Sequence, residues 1–402
     1  PQEETFEVYF DGAPSKFGQN CQLMRIGIKG KKISEQNRKP ANLVFVIDVS
    51  GSMGREDRLE LVKKALHLLV NKLNNNDNIG LVVYGSTGRI VLESTSVRYK
   101  SKILSAIDCL RPDGSTNCQA GLHLGFQMAS RYFDPGKTNR IILCSDGVAN
   151  VGVTGADDLL KEIKKYSNMG ITLSTIGFGM GNYNDVLMEK LGNKGNGYYA
   201  YVDDIDEARR VFVDNLTGAL QVIARDVKIQ VDFDPRVVRS YRLLGYENRD
   251  VADHQFRDDT VDGGEIGSGH SVTALYEIKF KDDKESWSEK AFRKDQIGRV
   301  FIRYKDPEAG RTKEINCAIP TETFKHRLAQ CSSEFKLAVC AAEFAEIMRD
   351  SYWAKNSTLD EVLRLANEVY NQTSDEEVQE FVNLIAKARH LRNIESDYFS
   401  RE

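Results

Sequence analysis

Asp48, Ser50 and Ser52 stand at alternate positions directly after the apolar run Val44-Phe45-Val46-Ile47. Alternate residues of an extended segment point the same way, so one carboxylate and two short hydroxyl side chains share a direction. That donor set suits a hard divalent cation, because Mg2+ prefers neutral and anionic oxygens in octahedral array and keeps several waters. Two further segments complete it. Arg111-Pro112-Asp113-Gly114-Ser115-Thr116-Asn117 reads as a turn-rich loop that offers Thr116, and Ile141-Ile142-Leu143-Cys144-Ser145 is a second apolar strand ending in Asp146. Both carboxylates are then expected at the carboxyl ends of parallel strands, where open α/β sheets place their ligands. A strand-terminal Asp taken alone reads equally well as a turn former or a helix cap. It is the three segments in order that favour a metal. Asp113 is read as shaping its turn and Asp57 as capping the first helix.

With these residues the chain resembles the von Willebrand factor A domain and its metal-ion-dependent adhesion site. The match is Asp-x-Ser-x-Ser at 48–52, Thr116 in an Asp-Gly-x-Thr loop, and Ser-Asp-Gly at 145–147, with no position departing from the pattern. The resemblance implies that Ser50, Ser52 and Thr116 bind Mg2+ directly, with Mn2+ or Ca2+ as substitutes, and that Asp48 and Asp146 act largely through water. It also implies an open position for a carboxylate of a protein partner. Met53, Gly114, Ser115 and Gly147, on the same loops, are the expected partner contacts.

Other chemistries find less support. Gly177-Phe178-Gly179-Met180-Gly181 lacks the spacing of a dinucleotide site, no P-loop occurs, and its glycines read as a tight strand-to-helix turn. None of the six histidines sits in a HExxH-type cluster, although His254 and His270 flank a Gly-rich stretch and invite a zinc hypothesis. Asp258, Asp259 and Asp262 lack the ligand order of an EF-hand. The sequons at Asn215, Asn356 and Asn371 fall in or beside helical segments and carry little weight. A hydrolase would need a general base outside the metal shell, and none is evident.

The elements that must position the site follow from periodicity. Between about 41 and 222, apolar strands (42–48, 78–84, 89–93, 139–145, 171–177, 198–202) alternate with amphipathic helices (57–73, 99–110, 118–132, 156–168, 183–191, 205–222). This predicts a Rossmann-like α/β domain, a mostly parallel sheet covered on both faces. In the first helix Leu59, Val62, Leu66, Leu69 and Leu73 form the stripe that faces the sheet. The runs at 78–84 and 89–93 read as a hairpin at the antiparallel edge. Beyond 224 the period changes to two, with strands at 227–233, 237–246, 270–280, 298–304 and 312–319, so residues 223–330 are expected to be a sandwich-like β domain. Residues 1–40 form an extension whose strand at 22–28 is expected to join that domain. From 331 to 402 the pattern is helical: Phe335, Leu337, Ala338, Ala341, Phe344, Ala345 and Met348 mark one apolar helix, two more cover 359–370 and 378–391, and Ser374 with Glu377 suggests a capping box. The 205–222 helix runs with almost no linker into the strand at 226, so a shift of that helix is expected to be felt by the β domain.

The order of domains, with Ala-Glu-Phe-Ala-Glu-Ile-Met-Arg-Asp at 342–350, is similar to that of the bacterial YfbK-type proteins, except that their longer N-terminal region is missing. Many of these are envelope lipoproteins, so the resemblance implies a periplasmic or surface location, with the cytoplasm as the other option. Composition is neutral on this point: 402 residues, 41% hydrophobic and 28% charged, allow more than one core. A net charge of −4 gives no footprint for nucleic acid. No apolar run is long enough to span a bilayer. A chain that opens on Pro1 is expected to have lost an upstream segment. The seven cysteines show no CxxC pair and no zinc-ligand spacing, their odd number argues against a complete disulfide framework, and Cys144 reads as a small core hydrophobe. The sequence thus points to a noncatalytic, Mg2+-dependent protein-binding module of adhesion type; the alternatives are an intracellular assembly or chaperone-like factor using the same site, and a metal-dependent hydrolase.

Overall fold

A computed structural model describes residues 5–399 apart from 19, 35–36, 56–57, 148–155, 180–184, 216–217, 219, 246–251, 260, 262, 282–295, 308 and 356. Asp57, Asp262, Asn356 and Met180–Gly181 therefore lie outside the described residues. The chain opens with β1 (Phe6–Pro14) and β2 (Cys21–Gly30). An α/β stretch follows: β3 (Ala41–Asp48), α1 (Leu59–Lys72), β4 (Asn78–Tyr84), β5 (Gly88–Ser96), α2 (Lys100–Asp108), α3 (Cys118–Arg131), β6 (Thr138–Ser145), α4 (Ala156–Asn168), β7 (Ile171–Phe178), α5 (Asp185–Lys194), β8 (Tyr199–Val202) and α6 (Ile205–Arg209). The remainder comprises β9 (Val222–Phe233), β10 (Val238–Leu244), β11 (Gly264–Gly267), β12 (Ser271–Phe280), β13 (Gln296–Lys305), β14 (Thr312–Pro320), α7 (Ser333–Met348), α8 (Leu359–Thr373) and α9 (Glu376–Phe399).

Two compact units result, one of Lys32–Ala224 with Gly264–His270, the other of Pro1–Lys31, Arg225–Gly263 and Ser271–Glu402. In the first, six strands run in the order β5-β4-β3-β6-β7-β8, parallel except for β5. Every residue of β3 is buried, because helices cover both faces. Leu43, Phe45 and Ile47 pack on one side with the α1 stripe and Phe212, while Val44 and Val46 pack on the other with Leu122, Phe126 and Leu159. Strand β3 pairs with β4 on one flank and β6 on the other, so the chain reverses its direction of travel across the sheet beside Asp48. Such a switch point opens a crevice at the carboxyl ends of the strands.

The expected 205–222 helix is interrupted: α6 ends at Arg209, a π-helical stretch covers Arg210–Asn215, and β9 begins at Val222. In the other unit, β1 and β2 form a hairpin whose second strand pairs with β12, giving the sheet β1-β2-β12-β10. Strands β9, β13 and β14 form an opposing antiparallel sheet. Aromatic contacts join the two layers, Phe6 against Tyr304 and Phe233 against Tyr276. Strand β1 was not evident in the sequence; its pairing with β2 spans only part of an apolar pattern and depends on the neighbouring sheet.

The β strands and the C-terminal helices make one unit rather than two domains, because they share a core in which Leu23, Leu244 and Leu275 meet Phe335, Val339 and Val362. The buried face of α7 also differs from the expected stripe. Phe335, Val339, Cys340 and Ile347 are inside, together with Lys336, Glu343 and Glu346, whereas Met348 is 43% exposed. This helix is apolar nearly all round, so its periodicity does not select a face and the packing against α8 does. At the next turn Ser374 adopts φ +53° and closes α8, and it is Asp375 whose carboxylate accepts the Glu377 amide at 2.8 Å. The anticipated Ser374–Glu377 box is therefore an Asp cap one residue on.

Candidate metal centre

The end of β3 delivers Asp48 into the sheet crevice, where it is fully buried. Its Oδ1 accepts the Ser50 amide at 2.8 Å, turning the chain so that the Ser50 and Ser52 hydroxyl oxygens lie 3.0 Å apart. Its Oδ2 accepts the Ser145 hydroxyl at 3.0 Å, and that same Oγ accepts the Gly147 amide at 3.2 Å. Register places Ile47 beside Cys144, so Asp48 and the Ser145–Asp146 pair emerge from adjacent parallel strands. Burial raises the Asp48 pKa above the ordinary carboxylate value; the Ser50 amide and hydroxyl oppose the rise, the nearby Asp146 charge adds to it, and Ser145 opposes it. Burying two carboxylates side by side is unfavourable without positive charge; Asp146 has the Arg58 guanidinium beside it, and a cation held by the neighbouring hydroxyls would relieve the cost at Asp48.

Thr116 is half-buried on a loop bound to the same crevice. The Gly51 amide donates to the Gly114 carbonyl at 3.0 Å, the Asp113 amide to Val49 at 2.5 Å, and the Asn117 amide to Gly85 at 2.8 Å. Asn117 also caps α3 by accepting the Ala120 amide at 3.1 Å. The close approach needs glycine at position 85: a Cβ there would lie 2.0 Å from the Asp113 carbonyl oxygen. Gly85→Ala is accordingly expected to push the Thr116 loop outward and weaken Mn2+ binding about tenfold, equivalent to ~1.4 kcal/mol, while the far-ultraviolet spectrum is retained. Titration of the metal-stripped variant checks this; unchanged affinity would show that the loop contributes nothing.

The structure thus brings Asp48, Ser50, Ser52 and Asp146 together and binds the Thr116 loop to them. Gly114 and Ser115 are exposed, and Gly147 is buried at the strand end. Met53 departs from expectation: it is 0% exposed and packs in the core with Leu59 and Val62, so its side chain anchors the loop from below and meets no partner. Among the described residues, no group of three or more His, Cys, Asp or Glu side chains is placed to hold a metal. This disfavours the zinc hypothesis for His254 and His270, and leaves the hydroxyl-rich set as the candidate. His67 and His123 instead pair with Asp108 and Glu162 at 2.8 and 2.9 Å. Cys144 is buried, with its thiol pKa raised by that burial, and no disulfide links the cysteines among the described residues.

Three neighbours of the site were assigned no role of their own from the sequence. Ser145 orients Asp48. Tyr84 is fully buried beneath it, its hydroxyl pKa pushed well up by burial and by the nearby Cys118 and Asp48. Arg58 donates from Nη1 to Asp146 at 2.5 Å and to the Ser52 carbonyl at 3.0 Å. A signal for Arg58 was present: a cation at the start of a helix faces the positive end of its dipole and calls for an anion nearby.

Comparison with known proteins agrees with this architecture. The von Willebrand factor type A domain matches residues 42–214, and the family described as "Uncharacterized protein YfbK, C-terminal" matches residues 218–391. The chain is 32% identical to "Uncharacterized protein YfbK" of Escherichia coli (strain K12) over 400 residues, covering 97% of this chain and 68% of that protein. It is 27% identical to "Uncharacterized protein sll0103" of Synechocystis over 77% of this chain and 71% of that one. A solved "von Willebrand factor type A from Catenulispora acidiphila" shares the fold at 15% identity, with a TM-score of 0.53 over 93% of this chain and 89% of that chain. The protein belongs to the YfbK family, an A domain followed by the YfbK C-terminal domain.

Proposed function

We propose that the α/β unit is a noncatalytic, divalent-metal-dependent protein-binding module. The observation that carries this reading is the pair of Ser50 and Ser52 hydroxyl oxygens, 3.0 Å apart, beside the buried Asp48 at the switch point of the sheet. Ser50, Ser52 and Thr116 would hold Mg2+, or Mn2+ or Ca2+ in its place, with Asp48 and Asp146 orienting its waters. When bound, the ion offers an electrophilic position to a partner's Asp or Glu carboxylate. The exposed Gly114 and Ser115 supply part of the surrounding surface. Commitment of both carboxylates supports the noncatalytic reading: Asp48 accepts from Ser50 and Ser145, and Asp146 from Arg58, so neither is poised as a general base. Envelope placement, implied by the resemblance, belongs to the same reading and is checked by fractionation of the host cell. Among the described residues no helix is long and apolar enough to cross a membrane.

Isothermal titration of the metal-stripped chain with Mg2+ and Mn2+ tests the reading. One-site binding is expected, weakened about tenfold or more, ~1.4 kcal/mol, in Thr116→Ala. Capture of partners on the immobilised chain should then require Mg2+ and fail in EDTA. A wild-type chain that binds neither ion would overturn the proposal.

A further inference from the structure

The second carboxylate of the site already has a cation. Arg58 is 7% exposed, and its Nη1 bridges the buried Asp146 carboxylate and the Ser52 carbonyl, linking the loop after β3 to the end of β6. Its stem passes directly over Gly179, where a Cβ would lie 2.6 Å from Arg58 Cγ; that glycine, at φ +83°, leaves room for it at the end of β7. Three loops are therefore shaped around one guanidinium. Among the described residues no cationic side chain pairs in the same way with Asp48.

We infer that Arg58 is a resident counter-cation that keeps the metal affinity of the unliganded site low, so that ion and partner carboxylate bind cooperatively. The inference rests on the proposed metal site and adds to it a residue outside the adhesion motif. The charges decide the direction. Two buried carboxylates would neutralise a divalent ion by themselves. With the Asp146 charge compensated by Arg58, the bound site keeps about one net positive charge, and an incoming carboxylate supplies the missing anion. A nearby fixed cation also repels the ion directly, and such repulsion is strong where water is excluded. Arginine suits this role because its guanidinium stays protonated and is less strongly hydrated than an ammonium group.

A structural clamp and a counter-cation predict opposite signs on neutralisation. Removing a clamp loosens the loop and weakens the site, whereas removing a counter-cation strengthens it. Arg58→Met keeps an unbranched stem over Gly179 and deletes the charge; Arg58→Lys keeps the charge. By titration of the metal-stripped full chain with Mn2+, Arg58→Met is expected to bind about tenfold more tightly than wild type and to show the larger thermal shift on Mn2+ addition. Arg58→Lys should stay near the wild-type affinity. Should metal-free Arg58→Met be unfolded, Mn2+ is expected to restore its native circular dichroism, and failure to restore it overturns the inference. Folded Arg58→Met that binds Mn2+ no better than wild type overturns the inference alone. Absence of Mn2+ binding in wild type and variants alike overturns the metal site as well.

Discussion

Asp48→Asn is expected to lower Mn2+ affinity about a hundredfold, the upper range for removing a group that organises a metal's surroundings, without destabilising the metal-free protein at neutral pH. The substitution preserves shape. Asn can still accept the Ser50 amide through its carbonyl oxygen and donate to the Ser145 hydroxyl, so both hydrogen bonds have counterparts. What it removes is a buried negative charge. Because burial raises the folded-state pKa of Asp48, its contribution to stability is favourable below the unfolded carboxylate pKa and is lost as pH rises through the raised value. At neutral pH the ionised group therefore burdens the metal-free fold, and the difference in melting temperature, variant minus wild type, should grow as pH rises through that window. Mg2+ at a concentration that saturates the wild type should reverse the difference by stabilising the wild type more than the variant. Scanning fluorimetry across pH, beside titration with Mn2+, checks both halves. Wild-type affinity in the variant would remove Asp48 from the site, and a large loss of metal-free stability would make its role architectural.

The largest effect on folding is expected at Asp77, far from any motif. This residue is 0% exposed and receives the Arg38 fork at 3.1 and 2.6 Å, the Ala41 amide at 2.7 Å and the Asn74 amide at 2.7 Å. It thereby ties the segment entering β3 to the turn entering β4. Asp77→Ala would leave a buried guanidinium without its carboxylate and two amides without their acceptor. Breaking a buried pair from one side costs about 3–5 kcal/mol, so urea unfolding should show a loss of that order. Asp77→Asn retains an acceptor and should lose less. A change within ~1 kcal/mol, the range of a surface pair, would mean that the bond network contributes little.

Asp77 also shows where sequence reading ends. It lies in Asn74-Asn75-Asn76-Asp77-Asn78, a polar run that reads as a turn, and nothing local distinguishes its carboxylate from an exposed one. Only the return of the chain at Arg38 and Ala41 gives it partners. Arg58 is the intermediate case: its place before the Leu59 stripe was visible, while its anion, Asp146, lies 88 positions away and meets it only through the parallel pairing of β3 and β6.

What the sequence determined by itself was what local periodicity and spacing encode. The alternation of apolar strands and striped helices specified the α/β sheet, since a strand buried on both faces must be apolar throughout, as β3 is. Strand ends located Asp48 and Asp146, and the short Asp-x-Ser-x-Ser spacing aligned two hydroxyls beside the first of them. Tertiary structure decided which side of an already apolar element faces inward. It buried Met53, turned Met348 outward and placed Glu343 inside, because α7 and the loop after β3 offer more than one apolar face. It also drew β1 and β2 into a sheet with β12 and merged that sheet's core with the C-terminal helices. Such pairings are non-local: their free energy comes from burial shared by segments hundreds of residues apart, which no window along the chain contains.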